Sequence, residues 1–318
     1  MVMPAMHSML ELPRPEMPHL PYGLSGQKLK SIAKTALASD EPGLAVSTVG
    51  GAMGPVWPAA GDHSLDFLEH FGGLKHLRVH LPSLTTIEPI KYVASSLETL
   101  ELVGFDKPSR VSLSPIQNCR NLRSITLVRL PQDFDVIWQL PRLERLSLSG
   151  YRSTELRPPK PLSKLRNLYL GFGGMENLEL LDMTPNITSV EILRTKGLGD
   201  LLPLASLTKL QFIALGDLAQ VKRFPDCSRL KKLRRIYLDT MNGLEDLSGL
   251  AQAPALEDFI LVNSKAPASL LAPLVDHPKL KRVALGLASR KANQEANDAF
   301  GDLAQEIFGT EHELFRLR

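Results

Sequence analysis

The chain has 318 residues, 43% of them hydrophobic and 22% charged, with a formal net charge of +3. That is enough apolar material for one large core or two modest ones, and too little positive charge to make nucleic acid the first expected partner. Leucine is the outlier: 58 residues against an aromatic fraction of 6%, with no apolar run near the roughly 18 residues of a membrane span.

In chain order, residues 1–20 carry prolines and acids where a signal peptide needs a basic end and then an apolar run. They are expected to form a flexible leader to a cytoplasmic protein. Residues 21–72 read as an N-terminal cap, with an amphipathic helix over 24–39, a strand over 43–51 and a short helix over 64–71. From 73 to 288 the pattern L-x-x-L-x-L returns ten times, starting at Leu74, Leu97, Leu122, Leu143, Leu165, Ile187, Leu210, Leu233, Leu256 and Leu280. Successive starts differ by 21 to 25 residues. In each unit the leucines of x-L-x-L-x point one way and the x residues the other. One such strand cannot bury its apolar face alone, whereas parallel stacking shares a continuous core. The return halves place Leu198, Leu201, Leu204, Leu207 and Leu210, and again Leu244, Leu247, Leu250, Ala253 and Leu256, at every third residue. That period suits 3₁₀ turns or extended segments. Residues 289–318 read as a C-terminal helical cap, with Ala296, Phe300, Leu303 and Ile307 at helical spacing over 291–309. The spacing runs unbroken across Pro158, Pro159 and Pro161, which favours one structural domain.

The expected fold is an α/β solenoid: a curved arc of about ten repeats, capped at both ends. A parallel β-sheet lines the concave face, with 3₁₀, short helical or extended segments on the convex face. From about Leu74 to Leu287 the chain resembles the leucine-rich-repeat family, in its roughly 22-residue class typified by internalins. MNGLEDLSGLAQAPALEDF (241–259) and HPKLKRVALGLASRKAN (277–293) are similar to a group of bacterial leucine-rich-repeat proteins without an established activity. The family's asparagine, three residues after the last strand leucine, is missing. Phe105, Leu130, Tyr151, Gly173, Thr195, Leu218, Met241 and Ser264 stand there instead, so the turn backbone must be satisfied by other backbone groups or by water.

Motifs for chemistry are scarce. GGAMG (50–54) lacks the Lys-Ser/Thr of a phosphate loop. Cys119 and Cys227 fall at core positions and read as buried free thiols. His76 and His80, four residues apart on a strand, are badly spaced for one metal and read as isolated exposed side chains. The sequon at Asn186 places Ile187 in the core. The chain is therefore expected not to be an enzyme, with no catalytic, cofactor or metal site.

Polar and aromatic residues gather at the outward strand positions. The candidate protein-binding set is Tyr169, Phe172, Glu191, Arg194, Phe212, Asp217, Arg235, Tyr237 and Asp239. Aromatics and arginine on a solvent-facing sheet are the material of hot spots. The plainer explanation is that Tyr and Phe favour strands while the charges keep the sheet soluble. The expected function is a non-catalytic protein-binding scaffold, monomeric when free, and in its finer form a bacterial immunity or antitoxin-like protein that occludes a toxin. The alternative is a secreted effector that binds a host protein, its proline-rich leader serving as signal. Nucleic-acid binding through Arg110, Arg120, Arg123, Arg129, Arg142 and Arg145 ranks behind both.

Overall fold

The computed structural model describes residues 17–48, 57, 63–103, 111–129, 131–152 and 156–305. The chain divides into two compact units, the first Pro13–Gly150 and the second containing Tyr151–Arg318.

In the first unit, helix α1 (Gly26–Leu37) buries Leu29, Ala33 and Ala36 on one face, the i, i+4, i+7 stripe of an amphipathic helix. Five parallel strands follow in chain order: β1 (Gly43–Ser47), β2 (His76–His80), β3 (Thr99–Val103), β4 (Ser124–Val128) and β5 (Arg145–Ser149). The expected cap strand is thus the first rung of the repeat sheet, pairing Leu44 with Leu77. The expected helix over 64–71 is a 3₁₀ helix, Asp66–His70. Along β2 to β5 the apolar positions are buried and the alternate ones half-buried, the pattern of a sheet with one core face.

The second unit contains β6 (Asn167–Gly171), β7 (Ser189–Leu193), β8 (Phe212–Gly216), β9 (Arg235–Asp239), β10 (Asp258–Ser264), β11 (Arg282–Leu287) and β12 (Ala304–Gln305), again parallel and in chain order. Every expected repeat strand begins two residues after the first apolar residue of its unit, as Asn167 follows Leu165 and Arg282 follows Leu280. The return segments are slim, as the period of three requires. Leu202–Ser206 is a 3₁₀ helix, and Leu198, Leu201, Leu204, Leu207 and Leu210 are all buried.

A short helix α2 (Ala272–Val275) precedes β11, and helix α3 (Arg290–Phe300) follows it. It is shorter than the expected 291–309. Gly301, at φ 53°, ends it and leads through a 3₁₀ turn into β12 on the edge of β11. Ala296 and Phe300 are buried, Leu303 is half-buried, and Ile307 lies outside the described residues.

The turns work without asparagine. The residue two past the last strand leucine is left-handed at Arg129, Gly150, Phe172, Arg194, Asp217, Thr240 and Asn263. For residues other than glycine this costs on the order of 1 kcal/mol each. Their amides bond the next repeat: Phe172 N–H donates to Leu193 O (3.0 Å), Arg194 to Gly216 O (2.8 Å), Asp217 to Asp239 O (2.9 Å) and Thr240 to Val262 O (3.0 Å). Backbone therefore satisfies backbone, repeat to repeat. At the asparagine position itself, the Tyr151 ring lies against Gly173, where an added Cβ would come within 2.5 Å of it. The Tyr151 hydroxyl reaches the Thr195 hydroxyl two repeats away, at 3.1 Å.

Candidate functional site

The strand register decides which side chains share the outward face of the second unit. One row runs Tyr169, Glu191, Ala214, Tyr237, Ile260 and Ala284. The row before it runs Asn167, Ser189, Phe212, Arg235, Asp258 and Arg282. Six of the nine candidate residues thus sit on the strands: Tyr169, Glu191, Phe212, Arg235, Tyr237 and Asp239. Tyr169 and Tyr237 share a row three strands apart, about 14 Å at ~4.8 Å per strand.

Two expectations are corrected. Phe172, Arg194 and Asp217 are not sheet-face residues: β6, β7 and β8 end at Gly171, Leu193 and Gly216, and these three form the left-handed turn column just beyond. Nor does the face present its aromatics to solvent. Tyr169, Glu191, Phe212 and Tyr237 are 6%, 1%, 1% and 4% exposed. Phe212, Ala214, Tyr237, Ile260, Val262 and Ala284 form a second apolar cluster on the face opposite the leucine core. Ile260 and Val262 escaped the sequence reading. Their signal is the near-continuous apolar run of β10, DFILV, which marks a strand buried on both faces.

The charged members are paired. Buried Asp258 accepts from Arg235 Nε at 2.8 Å and from Arg282 Nε at 2.6 Å, bridging β9 to β11. Its hydrogen bond raises the Arg282 pKa above the ordinary value. On the turn column the Arg194 guanidinium stands 5.6 Å from the Phe172 ring centre and 3.1 Å from an Asp217 carboxylate oxygen. This Phe172–Arg194–Asp217 row is the accessible rim, with the Arg194 and Asp217 side chains 51% and 48% exposed. Asp239 accepts from the Thr240 hydroxyl at 2.7 Å and from Asn263 Nδ2 at 2.8 Å.

The first unit's outward face is polar. His80 and Arg78 both contact Glu101, at 3.0 Å each, and His76 contacts Glu41 at 2.8 Å. These histidines are therefore paired with carboxylates, not isolated. Arg123 lies 2.7 Å from Glu144 and 3.7 Å from Glu98, Arg142 donates to Asn121, and burial lowers the Arg145 pKa. Arg110 lies outside the described residues, as does GGAMG. Cys119 and Cys227 are buried free thiols, each pushed up to about 12 by burial. Among the described residues no helix is long and apolar enough to cross a membrane.

Parallel strands at a 21–25-residue period, joined by 3₁₀ segments, leave one matching architecture. The chain has the leucine-rich-repeat fold. Among solved structures, an internalin of Listeria monocytogenes shares 14% identity over 88% of this chain and 93% of its own, with a TM-score of 0.47. A leucine-rich-repeat protein of Leptospira interrogans shares 16% over 76% of this chain and 62% of its own, with a TM-score of 0.50. A second Listeria monocytogenes internalin shares 21% over 81% of this chain and 92% of its own, with a TM-score of 0.37. No family model matches the sequence, and no curated protein matches it. Within this leucine-rich-repeat fold the second unit departs from a polar outward face by carrying apolar side chains there.

Proposed function

We propose that this leucine-rich-repeat protein is a non-catalytic scaffold that binds another protein along the Phe172–Arg194–Asp217 turn column that borders the outward face of β6 to β8. The observation that carries the reading is the column of successive left-handed turns that sets an aromatic ring, a guanidinium and a carboxylate side by side at the accessible rim. A hydrogen-bonded parallel sheet is preformed, so little ordering is lost on association. Because Phe212 and Tyr237 are buried, first contact falls to Phe172, Arg194 and Asp217, which join an aromatic ring, a guanidinium and a carboxylate. Arginine and aromatics supply the energy and the carboxylate selects partner charge.

In its finer form the reading is that of a cytoplasmic immunity or antitoxin-like protein, monomeric when free, that occludes a toxin. The proline-rich segment 1–25 favours a second reading, a secreted effector that binds a host protein. Affinity capture with mass spectrometry tests the scaffold. Wild type should retain a stoichiometric protein that Arg194→Glu loses, and retention by both would remove the face from the reading. For the immunity form, the captured protein expressed alone should arrest growth, and co-expression of this chain should restore it. Export of a reporter fused to residues 1–25 would instead select the effector.

A further inference from the structure

A groove of about 490 Å³ opens along the edge of the second unit where the chain enters β9, β10 and β11. Lys231, Lys232, Arg234, Lys279 and Lys281 line it, with Glu257 as its one carboxylate among the described residues. The repeat itself builds this arrangement. Lys232 and Arg234 flank buried Leu233, and Lys279 and Lys281 flank buried Leu280. With each leucine turned into the core, its neighbours turn out, and all five cations are exposed.

Their backbones are fixed. Arg234 N–H donates to Gln211 O at 3.0 Å, Glu257 N–H to Arg234 O at 2.9 Å, and Lys281 N–H to Glu257 O at 2.8 Å. Two strand spacings, about 10 Å, separate the cations leading into β9 from those leading into β11.

Equivalent cations earlier in the unit are committed elsewhere. Arg166 donates to the carbonyls of Ser163 and Leu165, both at 3.0 Å, and Lys209 donates to Asn186. In the groove, Lys281 lies 3.3 Å from Glu257. Among the described residues, Lys231, Lys232, Arg234 and Lys279 have no carboxylate within the 4.0 Å of an ion pair. Lys231 also faces the Asp226 carboxylate, whose pKa is lowered first by hydrogen bonds from Ser228 and further by this cation, but Lys232, Arg234 and Lys279 around one small concavity leave a local positive field that focuses anions.

We propose that this groove binds an acidic, extended segment of a partner protein. The lining chemistry favours peptide over nucleic acid. Single-stranded nucleic acids are held by cations together with aromatic stacking platforms, and among the described residues no aromatic side chain lines the groove. Glu257 sits among the cations and can accept a hydrogen bond. An extended peptide presents an N–H donor at each residue along its backbone, whereas the phosphodiester backbone of a nucleic acid presents only anionic acceptors there. Gln211, also in the lining, both donates and accepts, as a peptide backbone requires. The groove is separate from the outward sheet face, and the proposal does not depend on that face being a binding site.

The test is fluorescence anisotropy of a labelled peptide of alternating glutamate and alanine, titrated with the full chain at several salt concentrations. Binding should weaken with salt. The Lys232→Glu/Lys279→Glu variant should lose about tenfold or more in affinity. The Lys196→Glu/Lys265→Glu variant, with the same net charge change at exposed sites outside the groove, should lose less than about twofold. Unchanged thermal melts would confirm that both variants fold. Equal losses in the two variants would overturn the proposal, because non-specific charge would then explain binding. It would also be overturned if an oligonucleotide of matched charge bound the groove more tightly than the peptide. Because the outward face is intact in both variants, capture of the scaffold's own partner reports separately on that reading.

Discussion

The hydroxyl of Tyr151 shows how single residues replace a family device. Buried under Gly173 and bonded to Thr195, it has its pKa raised from 10.0 to about 12, chiefly by burial. Burial favours the neutral phenol, so its contribution to stability is complete below about pH 10 and is lost as pH rises toward 12, where the unfolded chain gives up the proton first. Cys119 and Cys227 act in the same direction from 9.0 to about 12. Urea midpoints should therefore fall between pH 9 and 12, and Tyr151→Phe should flatten the upper part of that fall. An equally steep fall in Tyr151→Phe would remove the phenol from the account. The two thiols should react with a disulfide reagent only as the chain unfolds. Rapid labelling of the native protein would contradict their burial. Phe212 carries a third expectation. Its outward position on β8 suggests a replaceable surface ring, but at 1% exposure Phe212→Ala should cost about 3–5 kcal/mol in denaturant melts. A neutral Phe212→Ala would mean that the apolar cluster of the outward face does not hold.

At the scale of the element, the strands were the most legible feature. Alternation fixes both where a strand runs and which side chains meet the core, and Leu146 and Ile213 are buried as their phase requires. Either Leu146→Ala or Ile213→Ala should cost about 2–5 kcal/mol, with a shift in the urea midpoint as the measure. An unshifted midpoint would place these residues outside the core. The turns were harder to read. A missing asparagine says that a side-chain bond is absent but not what replaces it. The replacement is a backbone bond to the next repeat, which no residue type announces. Helix α3 was overextended because Leu303 keeps helical spacing while Gly301, at φ 53°, breaks the backbone. The rim residues Phe172, Arg194 and Asp217 were found but placed on the wrong element, because the strand ends one residue before them. Tyr169, Phe212 and Tyr237 lie at outward strand positions, but they are buried there rather than exposed. Exposure depends on every neighbour on the face, and Ile260 and Val262 come from a strand whose two-sided apolar run was read as one-sided.

For the whole molecule, the two units carry the same strand design with different outward chemistry. In the first, carboxylates answer His76, Arg78, His80 and Arg123 across neighbouring segments. In the second, an apolar cluster is bordered by the Arg235–Asp258–Arg282 bridge and by the Phe172–Arg194–Asp217 row. A protein partner gains most from the second, where a ring and a guanidinium stand beside buried apolar area. The most direct measurement is the affinity of the captured partner for Phe172→Ala, Arg194→Ala and, as a control away from this row, Lys265→Ala, each checked by thermal melt. At least one of the two rim variants should lose about 2 kcal/mol or more of binding free energy, roughly thirtyfold in Kd, while Lys265→Ala stays within about twofold. Wild-type affinity in both rim variants, with all three folded, would contradict binding through this face.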